Sequence, residues 1–397
     1  MSQLAKPDDQ TLCVQHPAVS LDGYQSFSTP VYRASTIVFD TPQAYRERAQ
    51  RSPDGYTYGL SGTPTSRTLE AQLSSLNGAV RTIIVPSGQA AISALMLTVL
   101  KAGDHVLLPD NVYPPVKQFA SELLVHCGVA TSVYDPLDLP ALERAADTER
   151  TRLIWIESPG STSMEVSDIP AIVRIARSRG IMTGCDNTWA TALYCKPLQL
   201  GVDVVAEALT KYVGGHSDLL LGSLSFADIE LYGRVRRQLA NLGVGVSPDD
   251  CSLALRGIET MGVRLERVGK VAADFAQKIE GRAGIAEVLH PALPTSASHA
   301  LWQRDFAGSS GVFTLRLAGT SQQAVDRALG ELQVFAIGAS WGGTRSLIAP
   351  MSLANDRSFA DMDRDAVYLR ISIGLESPSD LWRDLENMLN ALADPSR

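Results

Sequence analysis

The feature that most constrains the fold is a regular alternation of apolar runs and helix-like segments that begins at Thr82. Short apolar runs predict β-strands, and the longer segments between them, which open near Ser, Asp or Pro, predict helices. Strands that are apolar throughout are buried on both faces, so this order predicts a largely parallel sheet, covered by helices, with right-handed connections. The predicted strands cover 82–87, 105–110, 129–135, 152–159, 181–187 and 202–211, with helices at 88–103, 114–128, 139–147 and 168–180.

The pattern changes after about residue 226, which indicates a second part of the chain. Its predicted helices cover 228–243, 252–283, 321–333 and 379–393, with strands at 311–317, 335–340 and 368–374. We therefore predict an N-terminal arm at 1–60 that wraps a partner subunit, a large domain at 61–250, and a long linking helix with a small α/β domain at 251–397.

Composition narrows the class of protein. With 397 residues, 45% hydrophobic and 20% charged, the chain is an ordinary globular one, and its net charge of −8 argues against nucleic acid or an anionic membrane as a partner. No apolar stretch approaches the roughly 20 residues of a spanning helix, and "MSQLAKPDDQTL" lacks the apolar centre of a secretory signal. The chain has five cysteines, none in a C-x-x-C pair, which favours reduced thiols and a cytoplasmic protein. The six histidines lack metal-ligand spacing, so we expect no metal site.

Three predicted strands end in polar residues that suit a phosphate-bearing cofactor. Gly88-Gln89 opens a helix, while Asp186 and Thr210-Lys211 end two further strands. Singly, each has a commoner explanation, namely a strand-to-helix turn, a local cap and a lysine that reaches the surface. Ligands of open α/β sheets gather at the carboxyl ends of the strands, however, so these residues are expected to meet. Together they match pyridoxal 5′-phosphate (PLP) chemistry, in which a lysine forms a Schiff base, a carboxylate keeps the pyridine nitrogen protonated and a helix N-terminus holds the phosphate.

Stretches spread over most of the chain resemble the Cys/Met-metabolism family of PLP enzymes, in the aspartate-aminotransferase (fold type I) group, and within it the cystathionine β-lyases. In family order they are "YGLSGTPTSRTLEAQL", "PSGQAAISA", "LPDNVYPP", "WIESPGSTSMEVSDIPAI", "CDNTWATAL", "LTKYVGGHSD", "SWGGTRSLI" and "LRISIGLE". Several motifs in one order are far more specific than any one of them. The resemblance implies an α/β fold with a large PLP-binding domain of mostly parallel sheet, a smaller C-terminal α/β domain, PLP as the cofactor and an amino acid as the substrate.

The resemblance also implies how the cofactor is held. Lys211 resembles the Schiff-base lysine, and Asp186 resembles the carboxylate on the pyridinium nitrogen. Gly88 and Gln89 match the phosphate-binding turn, and Thr210 matches a hydroxyl that also touches the phosphate.

Further residues are implied to act on the substrate. Tyr113 resembles the tyrosine that stacks on the cofactor ring near the leaving sulfur, and Arg370 resembles the arginine that grips the α-carboxylate. Ser340 and Trp341 lie in the substrate loop, and the contexts of Trp341 and of Trp189, in "SWGG" and "DNTWA", favour the β-lyases over the γ-lyases and synthases.

Assembly is implied by a second tyrosine. Tyr58 resembles a residue that reaches into the site of a neighbouring subunit, so a homodimer is the minimum working unit and a homotetramer is expected.

The sequence departs from the family pattern at three positions. Leu60 stands where relatives often carry a phosphate-binding arginine, and Ala208 stands where they often carry a serine. Each departure removes a phosphate contact, which is worth about 1.5–3 kcal/mol if the hydrogen bond is charge-assisted. Arg67 is a candidate to replace such a contact only because it lies nearby in the sequence. Arg345 also stands where relatives carry other residues, which bears on the choice of substrate.

The resemblance implies β-elimination of L-cystathionine to homocysteine, pyruvate and ammonia, a transsulfuration step in methionine biosynthesis. Lys211 would remove the α-proton, and Tyr113 or Lys211 would protonate the leaving thiolate. Open alternatives are a β-lyase for another cysteine thioether or for cysteine, a γ-replacement synthase or γ-lyase of the same family, and a non-enzymatic binding protein. A Rossmann dehydrogenase is disfavoured because no G-x-G-x-x-G follows the first strand.

Overall fold

The structure is a computed structural model that describes residues 20–52, 54–146, 149–353, 357–359 and 366–393. The chain divides into two compact units, Met1–Pro30 and Val31–Arg397. In the first unit, the N–H of Tyr24 donates to the carbonyl of Leu21 across a turn at Gly23. Positions 1–19 of the predicted arm lie outside the described residues. The predicted division into 1–60, 61–250 and 251–397 stays a prediction.

A large sheet occupies the first half of the second unit. Its strands are β1 (Arg81–Val85), β2 (His105–Pro109), β3 (Ala130–Tyr134), β4 (Thr151–Glu157), β5 (Met182–Asp186), β6 (Val204–Glu207) and β7 (Gly222–Phe226). They lie in the order β1-β7-β6-β5-β4-β2-β3. The neighbours from β3 to β6 are all parallel, which confirms the predicted largely parallel sheet, whereas β7 is antiparallel to both β6 and β1. The sequence did not predict β7, because serines and a glycine interrupt its apolar run.

The helices predicted at 88–103, 114–128, 139–147, 168–180 and 228–243 are present, whereas three others were not predicted, namely Pro42–Arg46, Pro64–Asn77 and Thr191–Tyr194. The described residues of this half contain α1 (Pro42–Arg46), α2 (Pro64–Asn77), α3 (Gly88–Val99), α4 (Pro114–Phe119), α5 (Leu139–Ala145), α6 (Ile169–Ser178), α7 (Thr191–Tyr194) and α8 (Ile229–Asn241). A π-helical turn, Ala120–Leu124, continues α4. The predicted caps of α6 are confirmed, because the Asp168 carboxylate accepts the N–H of Ala171 at 3.0 Å and Gly180 follows the helix with a φ of 64°.

A smaller sheet and its helices form the rest of the unit. The elements are α9 (Pro248–Ile279), β8 (Ile285–Leu289), α10 (His299–Asp305), β9 (Val312–Leu317), α11 (Gln322–Gly330), β10 (Ala336–Ile337), β11 (Leu347–Met351), β12 (Tyr368–Ser372) and α12 (Pro378–Ala393). The strand order is β10-β11-β12-β9-β8. This confirms the predicted smaller C-terminal α/β part.

Several details of this part differ from the sequence-based expectation, and helix α10 was not predicted. Helix α9 begins at Pro248 rather than at 252, because the side chain of Ser247 caps it by accepting the N–H of Asp249. Strand β8 was missed because it lies at an edge and two of its residues are exposed. Strand β11 was missed because of Pro350, which the sheet tolerates since the two-residue β10 leaves that part of β11 paired with β12 alone.

The large sheet is covered on both faces. One face packs on α2 and α9, and the other packs on α3 and α8. The buried side chains of the first face include Ile84, Ile154, Ile156 and Val205. Those of the second face include Val85, Trp155, Val204 and Leu224. The period-two alternation within each strand places neighbouring residues on opposite faces, so continuous apolar strands suit a sheet with two covered faces. Among the described residues, no helix is both long and apolar enough to cross a membrane.

Candidate active site

A cavity of about 240 Å³ opens at the carboxyl ends of β1, β4, β5 and β6. Eight of the predicted site residues line it: Gly88, Gln89, Tyr113, Asp186, Thr210, Lys211, Trp341 and Arg370. A ninth, Ser340, contacts Lys211. The tenth, Tyr58, does not line this cavity.

The strand predicted at 202–211 is shorter in the structure, because β6 ends at Glu207, so Lys211 lies in the turn beyond it and lines the cavity. Its Nζ donates to the Oγ of Ser340 at 2.8 Å and lies 5.2 Å from the centre of the Trp341 ring. Burial, followed by the positive charge of Arg370, lowers the pKa of Lys211 to about 8, while the negative charge of Asp186 acts in the opposite direction. The amine is therefore far more often neutral near pH 7–8 than an exposed lysine, whose pKa is about 10.4. This is the environment that an amine nucleophile requires.

Asp186 ends β5 and is tied to the turn that carries Lys211. Its Oδ1 accepts the N–H of Thr188 at 2.8 Å, and the Oγ1 of Thr188 accepts the N–H of Ala208 at 2.9 Å. Burial raises the pKa of Asp186, and the bonds from Thr188 and the charge of Lys211 oppose that rise. A cation placed beside this carboxyl group would favour its charged form further.

The N-terminus of α3 forms a cradle for an anion. Ser87 caps the helix by accepting the N–H of Ala90 at 3.0 Å, and Gly88 and Gln89 line the cavity. A Cβ on Gly88 would lie 2.7 Å from the Cβ of Ala208, so only glycine allows this approach. The first N–H groups of a helix have no partner within it, and they bind phosphate well.

The hydroxyl of Thr210 already has partners within the chain. Its hydroxyl lines the cavity, but it donates to the carbonyl of Leu221 and accepts the N–H of Leu221, both at 3.1 Å. Its bonds in the structure are therefore structural ones. Contact between Thr210 and a phosphate stays a prediction.

Arg370 comes to the cavity from β12 of the smaller sheet. Its guanidinium donates to the carbonyl of Ala339, and burial lowers its pKa against the influence of Tyr113. The loop that carries Ser340 and Trp341 approaches Lys211 closely, since Gly342 has a φ of 83° and a Cβ there would lie 3.2 Å from the Lys211 backbone. The smaller sheet thus supplies a cation and a loop to a cavity built by the larger one.

Tyr113 follows β2, and its ring lines the cavity. Its N–H donates to the Oε2 of Glu157 at 2.8 Å. Glu157 itself lines the cavity, and burial, followed by the charge of Asp186, raises its pKa well above the usual range. Sequence reasoning missed Glu157, which lies inside the predicted strand 152–159 but ends the observed β4, as Asp186 ends β5.

The loop after β4 was missed as well. Gly160, Ser161, Thr162 and Met164 line the cavity, and Thr162 and Met164 have φ values of 64° and 58°. A left-handed backbone is uncommon outside glycine and persists only where its surroundings hold it. The quoted stretch "ESPGSTSMEV" contained these residues, but no local rule marks such a conformation in Thr or Met.

The departures from the family pattern lie apart from one another. Leu60 lines a second cavity, of about 330 Å³, that also contains Glu70 and Arg236. Arg67 does not line the Lys211 cavity; its guanidinium donates to Glu70 and to the carbonyl of Ser61, each at 2.8 Å. The structure therefore does not bring Arg67 to its own chain's cofactor cradle.

Two further residues lie away from the cavity. Arg345 is exposed and does not line it. Tyr58 is 52% exposed, and its hydroxyl accepts that of Ser35 at 3.3 Å.

The residues present fit PLP, because a glycine-lined helix N-terminus, a buried carboxyl group and an amine of lowered pKa face one cavity. Within the described part of the chain, no cluster of His, Cys, Asp or Glu could hold a metal ion.

Comparisons with known proteins agree with this chemistry. The profile of a family described as "Cys/Met metabolism PLP-dependent enzyme" matches residues 10–390. The chain is 38% identical over 378 residues to cystathionine beta-lyase of Bordetella avium, with 94% of each chain covered. It is 39% identical over 380 residues to L-alanine/L-glutamate racemase of Wolbachia pipientis wMel, covering 92% of this chain and 93% of that protein.

A solved structure agrees in fold. The crystal structure of cystathionine gamma synthase from Xanthomonas oryzae pv. oryzae in complex with aminoacrylate and cysteine has a TM-score of 0.85 and 29% identity, and the match covers 93% of this chain and 94% of that one. The predicted fold type I architecture and the predicted cofactor, PLP, are thereby confirmed. The chain belongs to the Cys/Met metabolism family of PLP-dependent enzymes.

Proposed function

We propose that the chain is a carbon–sulfur β-lyase that cleaves L-cystathionine to homocysteine, pyruvate and ammonia, as a transsulfuration step toward methionine. The observation that carries the proposal is the meeting of Lys211, Asp186, Tyr113 and Arg370 at one cavity, with the pKa of Lys211 lowered to about 8. The cystathionine beta-lyase of Bordetella avium supports the choice of substrate.

Bound PLP supplies an electron sink for negative charge at the substrate α-carbon. Lys211, Asp186, Gly88, Gln89 and Thr210 are the residues that would hold it.

The chain's own groups would then orient the substrate and move its protons. Arg370 binds the α-carboxylate with a planar guanidinium that can make two parallel bonds. Lys211, once its amine is free, takes the α-proton, and Ser340 orients that amine through the 2.8 Å bond. Tyr113 or Lys211 returns a proton to the departing sulfur, and Trp341 excludes water from the amine.

A product analysis tests the proposal. Purified holoenzyme incubated with L-cystathionine is expected to form pyruvate and homocysteine, and Lys211→Ala is expected to abolish both the turnover and the visible absorbance of the bound cofactor. Formation of 2-oxobutyrate instead would assign the chain to γ-chemistry. A panel with cysteine, other thioethers and activated homoserine covers the remaining alternatives.

Racemisation of a small α-amino acid is a second candidate. The 39% identity to L-alanine/L-glutamate racemase favours it, and the step also begins with removal of the α-proton by a group such as Lys211. Chiral chromatography after incubation with L-alanine or L-glutamate distinguishes the two functions. Accumulation of the D-enantiomer without pyruvate supports the racemase.

The same proposal extends to assembly and location. We infer a homodimer in which Tyr58 reaches the neighbour's site, a homotetramer of two such dimers, and a cytoplasmic protein. Exposed apolar side chains in the segment before Tyr58 support a subunit interface there, since Val38 is 87% and Tyr45 is 53% exposed. Light scattering after size-exclusion chromatography measures the assembly directly.

A further inference from the structure

A single arginine joins two walls of the cavity from behind. Arg357 lies on the connection between β11 and β12, and its side chain is 3% exposed. Its Nε donates to Asp110 at 3.0 Å, and its Nη1 and Nη2 donate to the two carboxylate oxygens of Glu165 at 3.0 and 2.9 Å. A residue of the smaller sheet's connection therefore bridges two acidic residues of the larger domain.

Asp110 anchors the first wall of the cavity, which is the segment after β2 that carries Tyr113. It lies three positions before Tyr113, and its buried carboxylate also accepts Lys117 at 3.0 Å and the N–H groups of Ser358 and Phe359 at 2.8 and 3.0 Å. Burial opposes its ionisation, but these bonds outweigh burial and lower the pKa of Asp110. Asp110 is therefore a charged and fully engaged acceptor for Arg357.

Glu165 anchors the second wall, which is the loop with the left-handed Thr162 and Met164. Its carbonyl accepts the N–H of Gly160 at 2.9 Å, and its carboxylate accepts the hydroxyl of Ser163 at 3.1 Å. The loop is thus closed upon Glu165, and Arg357 holds Glu165 by two parallel bonds. A backbone in a sparsely populated conformation needs such external support.

The two walls also touch each other directly. The N–H of Ser161 donates to the carbonyl of Asn111 at 2.8 Å. Asp110 and Glu165 flank this contact in sequence, so a group that sets the spacing of the two carboxylates also sets the spacing of the walls.

We propose that Arg357 is a positioning residue for the reaction: it sets the place of Tyr113 and the shape of the Gly160–Met164 wall through Asp110 and Glu165. It does not touch the cavity itself, and it is absent from the lining residues. The inference rests on the proposed lyase function only for the choice of substrate. A rigid planar fork is needed to hold three carboxylate oxygens at once, and the point charge of lysine cannot reproduce it.

The test compares Arg357→Lys with Arg304→Lys in the full-length holoenzyme. Arg304 is a control for the loss of such a bridge, because it also joins two carboxylates, those of Asp168 and Asp305, but lies outside the cavity with a side chain that is 46% exposed. We expect Arg357→Lys to lower kcat/KM for cystathionine by about 10- to 100-fold, the scale of a misplacement of about 1 Å. Amide hydrogen exchange at Gly160 and Met164 is expected to quicken and the visible circular dichroism of the bound cofactor to change, while Arg304→Lys leaves all three at wild-type values.

Further outcomes separate positioning from mere stability. Added guanidinium is expected to restore part of the activity of Arg357→Ala, since it can occupy the vacated space between the two acids. Wild-type exchange at Gly160 and Met164 in Arg357→Lys would overturn the proposal, and so would a loss of activity that parallels only a lower melting temperature. If the wild-type enzyme does not cleave cystathionine, the lyase proposal fails, whereas exchange and circular dichroism still decide the role of Arg357.

Discussion

At the scale of single residues, the behaviour of Lys211 depends on its neighbours. Burial and Arg370 lower its pKa to about 8, whereas Asp186 raises it. The unfolded chain keeps the ordinary value of about 10.4, so the folded state binds fewer protons between these two pH values. The unfolding free energy of the apoprotein therefore rises with pH between about 8 and 10.4. Below about pH 8 the cost of burying the charged amine has its full value.

This pKa can be measured through cofactor attachment. The rate at which apoprotein acquires the visible absorbance of bound PLP is expected to rise with pH and to level off above about 8, because the neutral amine is the nucleophile. Asp186→Asn removes the charge that favours the ammonium form, so its midpoint is expected to move to lower pH. A midpoint near 10.4 in the wild-type protein would contradict the burial of this amine.

The cradle at Gly88 makes a second prediction. Gly88→Ala places a Cβ 2.7 Å from that of Ala208, so the helix N-terminus and the Lys211 turn must separate. We expect the dissociation constant of PLP, measured by titration of apoprotein, to rise at least about tenfold, which corresponds to about 1.4 kcal/mol. Gly330→Ala is the control, because a Cβ there meets nothing within 4 Å, and it is expected to leave PLP affinity unchanged.

At the scale of elements, local chemistry explains where the helices begin. Ser87, Asp168 and Asp228 each cap a helix by accepting an N–H three positions on, and the sequence placed all three helices correctly within a few residues. The strands β7, β8 and β11 were missed for local reasons too, since serines, exposed positions and a proline hid them. These segments form strands because they pair with strands from other parts of the chain, and local sequence patterns do not reveal that pairing.

Two substitutions of Asp168 separate its role as the cap of α6 from its ion pair. Asp168 accepts the N–H of Ala171 and also the guanidinium of Arg304. Asp168→Asn keeps a capping oxygen and loses the charged pair, so we expect a loss of unfolding free energy below about 1 kcal/mol. Asp168→Ala loses both, with an expected total of about 1–2 kcal/mol in denaturant titrations.

The pH dependence of the same pair follows from the lowered pKa of Asp168. Burial opposes the shift, but the bonds from Arg304 and Ala171 outweigh it. Its contribution is therefore present above the ordinary aspartate value of about 3.9 and is lost as pH falls below it. Equal stability of Asp168→Ala and wild type at pH 7 would contradict this account.

At the scale of the whole molecule, the proposed sharing of sites between subunits predicts complementation. Lys211→Ala and Tyr58→Phe are each expected to be nearly inactive alone. In a mixed dimer, one of the two sites combines an intact Lys211 with an intact Tyr58 from the neighbour, as two-fold symmetry requires. Co-expression of the two variants is expected to restore activity, and mixed dimers that stay inactive would show that Tyr58 serves no neighbouring site.

The sequence by itself determined most of the order of strands and helices, the largely parallel sheet, the place of Asp186 at a strand end and that of Lys211 shortly after one. Periodicity, caps and turn residues act over a few positions, so they can be recognised locally. Only the tertiary structure decided that Lys211 meets Ser340, 129 positions away, and that Asp110 meets Arg357, 247 positions away. Such contacts, and the lowered pKa of Lys211, arise from the packing of the smaller sheet against the larger one, and that packing leaves no signal at any single position.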